Sequence, residues 1–240
     1  MSNVGFRIYT KFTRPDPALV AQFEGVPVAV IGDEMNRLCC MEARIRPLNK
    51  APLLGVAMTV RTRPGDNLLL HRALDMAAPG DIIVVDGQGE LSNAIAGENM
   101  MMWAHKRQLG GVIVDGAMRD IEAISKMSMP VFAAGIQPRG PYKSGPGEIN
   151  VPITCGGIVV FPGDIVAGDE DGIVVVRPAE AAAIVKKAHE RHRKEEVTRQ
   201  TILAGTYDRS AYTEDALRKV GCEIVEGAWS DVEQGVGSRS

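Results

Sequence analysis

Short apolar runs recur along the middle of the chain and predict four β-strands. They are residues 53–62 (LLGVAMTVRT), 81–87 (DIIVVDG), 111–116 (GVIVDG) and 130–135 (PVFAAG). The last three each end at a glycine. Short apolar runs that are bounded by turn residues are typical of strands buried inside a sheet.

Segments with apolar residues at helical spacing separate these strands and predict helices. They are residues 66–81, capped by Asp66 and stopped by a Pro-Gly pair, residues 97–110, ended by Gly110, and residues 119–127. Strands that alternate with helices favour a parallel sheet with crossover helices.

The flanking segments predict elements of a different kind. They are a helix capped by Asp16 with Pro17 in its first position, a strand at 26–33, an irregular Gly/Pro-rich loop at 140–153, a meander of three short strands within 156–178, and a helix from Pro178 to Gly205. Hairpin turns in the meander make this part antiparallel, and a loop of that length is usually functional or an interface.

The predicted fold is therefore α/β with mixed parallel and antiparallel strands. With 240 residues of which 45% are hydrophobic, the chain can form one substantial core. We predict a single catalytic domain at 1–205 and a C-terminal extension at 206–240, whose last ten residues we expect to be disordered because they are rich in Gly and Ser.

Composition and charge narrow the classes of function. The net charge is −3, and Lys and Arg are scattered without a basic stripe, so we expect no nucleic-acid partner. No segment approaches the roughly 20 apolar residues that span a bilayer, and the N-terminus lacks a signal peptide. We therefore expect a cytoplasmic protein without a membrane partner. The four cysteines form no C-x-x-C motif, which favours reduced thiols.

Two predicted strand-to-helix turns carry the residues that could do chemistry. Arg119 and Asp120 follow one strand, and Gly97 and Glu98 begin the helix after the preceding strand. Ligands bind beyond the carboxyl ends of strands in open α/β sheets. A cation such as Arg119 is unfavourable at a helix N-terminus, so its position indicates an anionic ligand or a carboxylate partner.

Helix N-termini also supply backbone donors. We expect the amides of Asn99 and Met100, made accessible by Gly97, to bind an anion. Oxygen ligands beside them favour Mg²⁺ or Mn²⁺ over zinc. Asp120 and Glu98 have a simpler alternative role, because carboxylates at helix N-termini offset the helix dipole.

Other polar residues have structural explanations. Three turn aspartates are expected to bond local backbone amides, and all four histidines are expected to have surface or packing roles. Three lysines at polar or loop positions, Lys50, Lys106 and Lys126, are poor candidates for an imine-forming aldolase.

Glu98, followed after twenty residues by Arg119 and Asp120, resembles the acidic-x20-Arg-Asp signature of a family of divalent-metal-dependent pyruvate aldolases. These enzymes cleave 4-hydroxy-4-methyl-2-oxoglutarate and 4-carboxy-4-hydroxy-2-oxoadipate. The resemblance covers about residues 55–205 and is strongest from Gly97 to Val176. It implies a layered β/β/α swivelling-type domain that assembles as a homotrimer or homohexamer.

The resemblance also implies roles for the site residues. Asp120 would bind Mg²⁺ or Mn²⁺, Arg119 would hold the keto acid, and the amides of Asn99 and Met100 beside Gly97 would hold its carboxylate. Cleavage of the substrate leaves a pyruvate enolate, whose charge a metal and a guanidinium stabilise. Oxaloacetate decarboxylation passes through the same enolate, so we expect it as a side activity.

The resemblance leaves two questions open. The general base is either a metal-held water polarised by Glu98 or a carboxylate, Glu195 or Glu196, from the C-terminal helix of a neighbouring subunit. Those two glutamates lie in a charge run that is typical of a solvated helix face. The superfamily also includes the regulator of ribonuclease E activity, so a non-catalytic, protein-binding regulator is the alternative function.

Overall fold

A computed structural model describes residues 3–230 of the chain. The strands are β1 (Phe6–Ile8), β2 (Arg46–Pro47), β3 (Leu53–Thr62), β4 (Asp81–Ala96), β5 (Gly111–Met118), β6 (Val131–Ile136), β7 (Gly147–Ile149), β8 (Ile153–Cys155), β9 (Ile158–Val160), β10 (Ile165–Gly168) and β11 (Ile173–Val176). The helices are α1 (Pro17–Ala21), α2 (Val28–Glu34), α3 (Leu68–Met76), α4 (Glu98–Lys106), α5 (Ile121–Ile124), α6 (Pro178–Leu203) and α7 (Glu214–Lys219). The segment for which we predict disorder, residues 231–240, lies outside the described residues.

One mixed sheet organises the described chain. Its strand order is β1-β7-β3-β4-β5-β6-β2, and β3, β4, β5 and β6 run parallel to one another. One edge of β3 is shared, because its first residues pair with β10 and its last residues pair with β7, both antiparallel. The helices α3, α4 and α5 connect the parallel strands, as the alternating pattern predicts.

Side chains on the two faces of the central strands enter separate cores. In β4, Ile83 and Val85 pack with α3 and α4 on one face, while Ile82 and Val84 pack against β8 and β9 on the other. All four side chains are fully buried, and each such burial stabilises the fold by about 1.5–3 kcal/mol. A strand covered on both faces has no polar face, which accounts for its continuous apolar run. The predicted α/β fold with mixed strands is confirmed.

Three local predictions are wrong. Residues 28–34, which overlap most of the segment predicted as a strand, form α2. The predicted three-strand meander is a β10–β11 hairpin, and β9 pairs with β8 in a separate two-stranded sheet. Gly110 does not end α4, because that helix stops at Lys106 and Gln108 adopts the left-handed conformation after it.

The structure divides into two compact units, Met1–His192 and Arg193–Ser240. The boundary falls within α6. In the first unit, the buried face of α6 packs with α2, β10 and β11. The second unit holds the end of α6 and α7, and none of its described residues is buried. The division that we predict after residue 205 stays a prediction.

Among residues 3–230, the helices are all too short or too polar to cross a membrane.

Candidate active site

The site forms because β4 is longer than its neighbour β5. The two strands are in regular register as far as the pair Asp86 and Asp115, after which the register shifts three times. Residues 87–96 thereby lie beside residues 116–118, as in a strand with successive bulges. The two strands end level with each other, and the Arg119 amide donates to the Ala96 carbonyl over 3.0 Å.

Two helix starts therefore meet at one edge of the sheet. Gly97 precedes α4 and Asp120 precedes α5. Asp120 adopts the left-handed conformation, with φ 62° and ψ 40°, and its carboxylate does not cap its own helix. Instead, Oδ2 of Asp120 accepts a hydrogen bond of 3.1 Å from the Glu98 amide. Strained backbone of this kind is concentrated at functional sites.

Gly97 is required by the close approach of the second turn. A Cβ atom at position 97 would lie 2.3 Å from Oδ2 of Asp120 and 2.9 Å from Cγ of Arg119. Neither distance is compatible with van der Waals contact. The absence of a side chain at Gly97 therefore lets the carboxylate reach the start of α4.

Arg119 lies beside Asp120 and faces a cavity. Nε of Arg119 is 3.6 Å from Oδ2 of Asp120, and each side chain is 44% exposed. Both residues line a cavity of about 260 Å³ together with Gly97, Asn99 and Met100. A cavity of this size suits a small acid better than a large cofactor. The structure thus brings together most of the residues that the sequence predicts for the site.

The amides at the start of α4 are not equivalent. The Glu98 amide is bonded to Asp120, and the Met100 amide donates to the Gly97 carbonyl over 3.2 Å. Within residues 3–230, the Asn99 amide forms no hydrogen bond. Asn99 therefore carries the donor that remains available to an anion at this helix start.

Five further residues line the cavity, and the sequence did not assign them to it. They are Asn67, His71, Ala96, Pro141 and Lys143. His71 lies in the cavity wall, although its position in a helix predicted only a surface or packing role. Asn67 and His71 are four positions apart at the start of α3, a spacing that places side chains on one helix face. That spacing was a usable signal.

Asn67 is almost completely buried, with 2% of its surface exposed. Its Nδ2 donates to the Ile95 carbonyl over 2.9 Å and to Sδ of Met100 over 3.3 Å. Its Oδ1 is buried and has no hydrogen-bond partner in the described part of the chain. Most buried polar atoms have a partner, so this oxygen calls for one.

The loop that carries Lys143 is fixed at both ends. The fully buried carboxylate of Asp66 accepts hydrogen bonds from the amides of Ser144 and Gly145 over 2.8 and 2.9 Å. On the other side, Asn93 of β4 donates to the Gly140 carbonyl over 2.7 Å. The segment predicted as an irregular loop, residues 140–153, is irregular only in part, because it contains β7 and the first residue of β8.

The electrostatics of the cavity are set by three side chains besides Asp120. Arg119 and Lys143 are cationic, and partial burial together with the charge of Lys143 lowers the pKa of His71 below its ordinary value of 6.5. His71 is therefore neutral at pH 7. The cavity carries two cations and one carboxylate, an excess of positive charge that suits an anionic ligand.

Glu98 lies on the other side of Asp120. Its side chain borders an adjacent, more open cavity of about 470 Å³ with Asp120, Glu122 and Lys126. Lys126 is bonded to Glu122 over 2.9 Å. Glu98 is thus close to the carboxylate of Asp120 but outside the cavity that contains Arg119.

The two other predicted glutamates lie on α6, in the second compact unit. Glu196 forms an ion pair with Arg199 and accepts a hydrogen bond of 2.8 Å from Gln200, and Glu195 is exposed. Their role in a neighbouring subunit stays a prediction.

The chain is similar to a known protein family. The model of the family described as RraA-like, Aldolase/RraA, matches residues 28–175. The chain belongs to the Aldolase/RraA family. The matched range contains every residue that lines the Arg119 cavity, whereas Glu195 and Glu196 lie beyond it.

Relatives within the Aldolase/RraA family carry two kinds of name. A Halalkalibacterium halodurans protein, provisionally named 4-hydroxy-4-methyl-2-oxoglutarate aldolase, is 36% identical over 82% of this chain and 95% of its own. An Aromatoleum aromaticum protein with the same provisional name is 40% identical over 46% of this chain and 69% of its own. The solved structure of Streptomyces coelicolor RraAS2, titled an unusual member of the RNase ES inhibitor RraA protein family, is 27% identical with a TM-score of 0.71 over 79% of this chain and 99% of its own. The names of the aldolase relatives indicate lyase chemistry.

Proposed function

We propose that this protein is a divalent-metal-dependent pyruvate aldolase. It cleaves a 4-hydroxy-2-oxo acid of the 4-hydroxy-4-methyl-2-oxoglutarate or 4-carboxy-4-hydroxy-2-oxoadipate type to pyruvate and a second keto acid, and it decarboxylates oxaloacetate as a side reaction. We further propose that it acts in the cytoplasm as a homotrimer or homohexamer. The observation that carries the proposal is the meeting of Arg119, Asp120 and the Asn99 amide around one cavity.

The chain's own residues can hold the pyruvyl half of such a substrate. The free Asn99 amide at the start of α4 binds the substrate carboxylate, aided by the helix dipole. The Arg119 guanidinium donates to the keto oxygen, where negative charge accumulates as the bond between C3 and C4 breaks. A donor already in place at that oxygen stabilises the enolate more than the neutral ketone.

The donor set around Asp120 fits a magnesium-type ion. Oδ2 is occupied by the Glu98 amide, while Oδ1 has no partner within residues 3–230. The described residues contain no group of three or more His, Cys, Asp or Glu that could enclose a metal. Mg²⁺ tolerates this arrangement, because it is usually held by one or two carboxylates, by waters and by the substrate. Bound at Asp120, Mg²⁺ or Mn²⁺ would supply Lewis-acid polarisation of the keto acid.

The base that removes the C4 hydroxyl proton has two candidate sources. Glu98 borders the adjacent cavity that shares Asp120, so its carboxylate can act on a water there. Glu195 or Glu196 would act from a second subunit. Replacement of each glutamate by glutamine separates the candidates, since loss of the base lowers kcat by about 100-fold or more.

The test is pyruvate release, detected with lactate dehydrogenase, from 4-hydroxy-4-methyl-2-oxoglutarate and from oxaloacetate. We expect turnover with Mg²⁺ or Mn²⁺, loss of turnover with EDTA, and recovery when metal is restored. Arg119→Ala should lower kcat/KM by about 100-fold or more, whereas Arg72→Ala, an exposed arginine on α3 outside the cavity, should not. If neither acid releases pyruvate with Mg²⁺ or with Mn²⁺, the proposal is contradicted.

The structural similarity to RraAS2 favours one alternative, a protein-binding regulator that keeps the fold without turnover. Inhibition of a ribonuclease E type enzyme in vitro, together with no pyruvate release, would support that alternative.

A further inference from the structure

The cavity has a second wall that the pyruvyl half of the substrate does not explain. This wall, formed by Asn67, His71, Pro141 and Lys143, comes from the start of α3 and from the 138–146 loop. We call it the α3–loop wall. The inference below rests on the proposed function, because it concerns the remaining half of the same substrate.

Asn67 is a fixed part of this wall. Its amide nitrogen is committed to Ile95 and Met100, so the side chain cannot turn over without losing those bonds. Its buried Oδ1 therefore stays an unpaired acceptor, at a cost of about 1–3 kcal/mol. Asn67 thus holds the start of α3 against β4 and α4.

Lys143 offers a cation that no described carboxylate neutralises. In the part of the chain that the structure describes, no Asp or Glu oxygen lies within 4.0 Å of its ammonium group. The loop around it is fixed by Asp66, so its backbone is held in place at little further entropic cost on binding. Neutral His71 beside it can donate a hydrogen bond to the same anion.

We propose that the α3–loop wall recognises the half of the substrate that leaves as the second keto acid. The Lys143 ammonium pairs with the distal carboxylate, and His71 beside it donates a hydrogen bond to the same anion. Lys143 sets the specificity for dicarboxylic oxo acids over simple 2-oxo acids.

The experiment compares two reactions on each variant. Cleavage of 4-hydroxy-4-methyl-2-oxoglutarate needs both halves of the substrate, whereas exchange of the pyruvate methyl protons with D2O, followed by NMR, needs the pyruvyl half alone. The variants are Lys143→Gln and, as a matched charge control, Lys106→Gln at the far end of α4. Lys106 is exposed and does not line the cavity.

We expect selective losses. Lys143→Gln should raise KM for cleavage by about tenfold or more while pyruvate exchange changes by no more than about twofold, and Lys143→Arg should restore much of the loss. Equal losses in the two reactions, or no loss in cleavage, would overturn the assignment.

A binding measurement separates this inference from the proposed function. Calorimetry with Mg²⁺ compares 2-oxoglutarate with 2-oxovalerate, which has the same number of carbons and lacks the distal carboxylate. The wild-type protein should prefer 2-oxoglutarate, and Lys143→Gln should lose that preference. If the wild type shows neither cleavage nor exchange, the aldolase proposal fails, yet this preference still decides the role of Lys143. If Lys143→Gln still prefers 2-oxoglutarate to 2-oxovalerate, Lys143 does not bind the distal carboxylate.

Discussion

Replacement of Gly97 by alanine tests the contact between the two helix starts. The added Cβ would lie 2.3 Å from Oδ2 of Asp120, whereas real Cβ atoms essentially never approach within 3.0 Å. The carboxylate or the start of α4 must therefore move by at least 0.7 Å, the difference of these two distances. Gly97 has φ −151°, an extended conformation that alanine adopts, so backbone strain does not add to the effect.

The expected loss follows from that displacement. A misplacement of about 1 Å in a catalytic group costs about 100-fold in rate, so we expect kcat/KM for pyruvate release to fall by about 30- to 100-fold. The free energy of unfolding should fall by only about 1 kcal/mol, because the site is partly open and the neighbours can shift.

Gly80→Ala is the matched control. Gly80 has φ +83° and no atom within 4 Å of the Cβ position, so the change costs about 1–3 kcal/mol of stability through strain but leaves the site intact. Thermal unfolding and pyruvate release are measured on both variants. Activity of Gly97→Ala within about threefold of the wild type would refute the argument that Gly97 positions Asp120.

Three further outcomes are expected. Asp66→Ala removes a fully buried acceptor and should lower stability by about 3 kcal/mol, with faster hydrogen exchange in the 138–146 loop and at the Leu68 amide that begins α3. Unchanged loop exchange would count against the anchoring role. Arg44→Ala leaves the Asp115 carboxylate, whose side chain is 4% exposed, without its cation and should cost about 3 kcal/mol in urea unfolding, whereas a loss below about 0.5 kcal/mol would contradict the pairing. The pKa of His71, followed by NMR, should lie below 6.5 and should rise in Lys143→Gln. Because folding lowers this pKa, the stability linked to it is present above pH 6.5 and is lost as the pH falls through the folded-state pKa. A His71 pKa above 6.5 would contradict this sign.

The central sheet could be predicted from sequence because its signals are local. The apolar run of β4 reflects burial on both faces, and the helices between strands follow from residue spacing. The same logic failed at residues 28–34, where Val28, Val30 and Ile31 are buried. A short apolar run does not distinguish a buried strand from a buried helix, and here packing against β11 and α6 decides for the helix.

The candidate site was predictable in part for a related reason. Gly97, Arg119 and Asp120 lie at turns next to strands that are adjacent in sequence, so parallel topology alone brings them together. Lys143 lies on a loop whose path depends on the buried carboxylate of Asp66. No local pattern encodes that contact, and the α3–loop wall therefore required the three-dimensional structure.

The hydrogen bonds of Asp66 connect the two parts of the α3–loop wall, the start of α3 and the 138–146 loop. Its Oδ1 accepts from the first amide of α3, next to Asn67, while its Oδ2 holds the loop around Lys143. A substitution at Asp66 would thus disturb both ends of the wall at once, while the Gly97–Asp120 contact persists. In a relative that lacks this aspartate, replacing the loop alone should not transfer the substrate preference. Replacing the loop and introducing the aspartate together should transfer it.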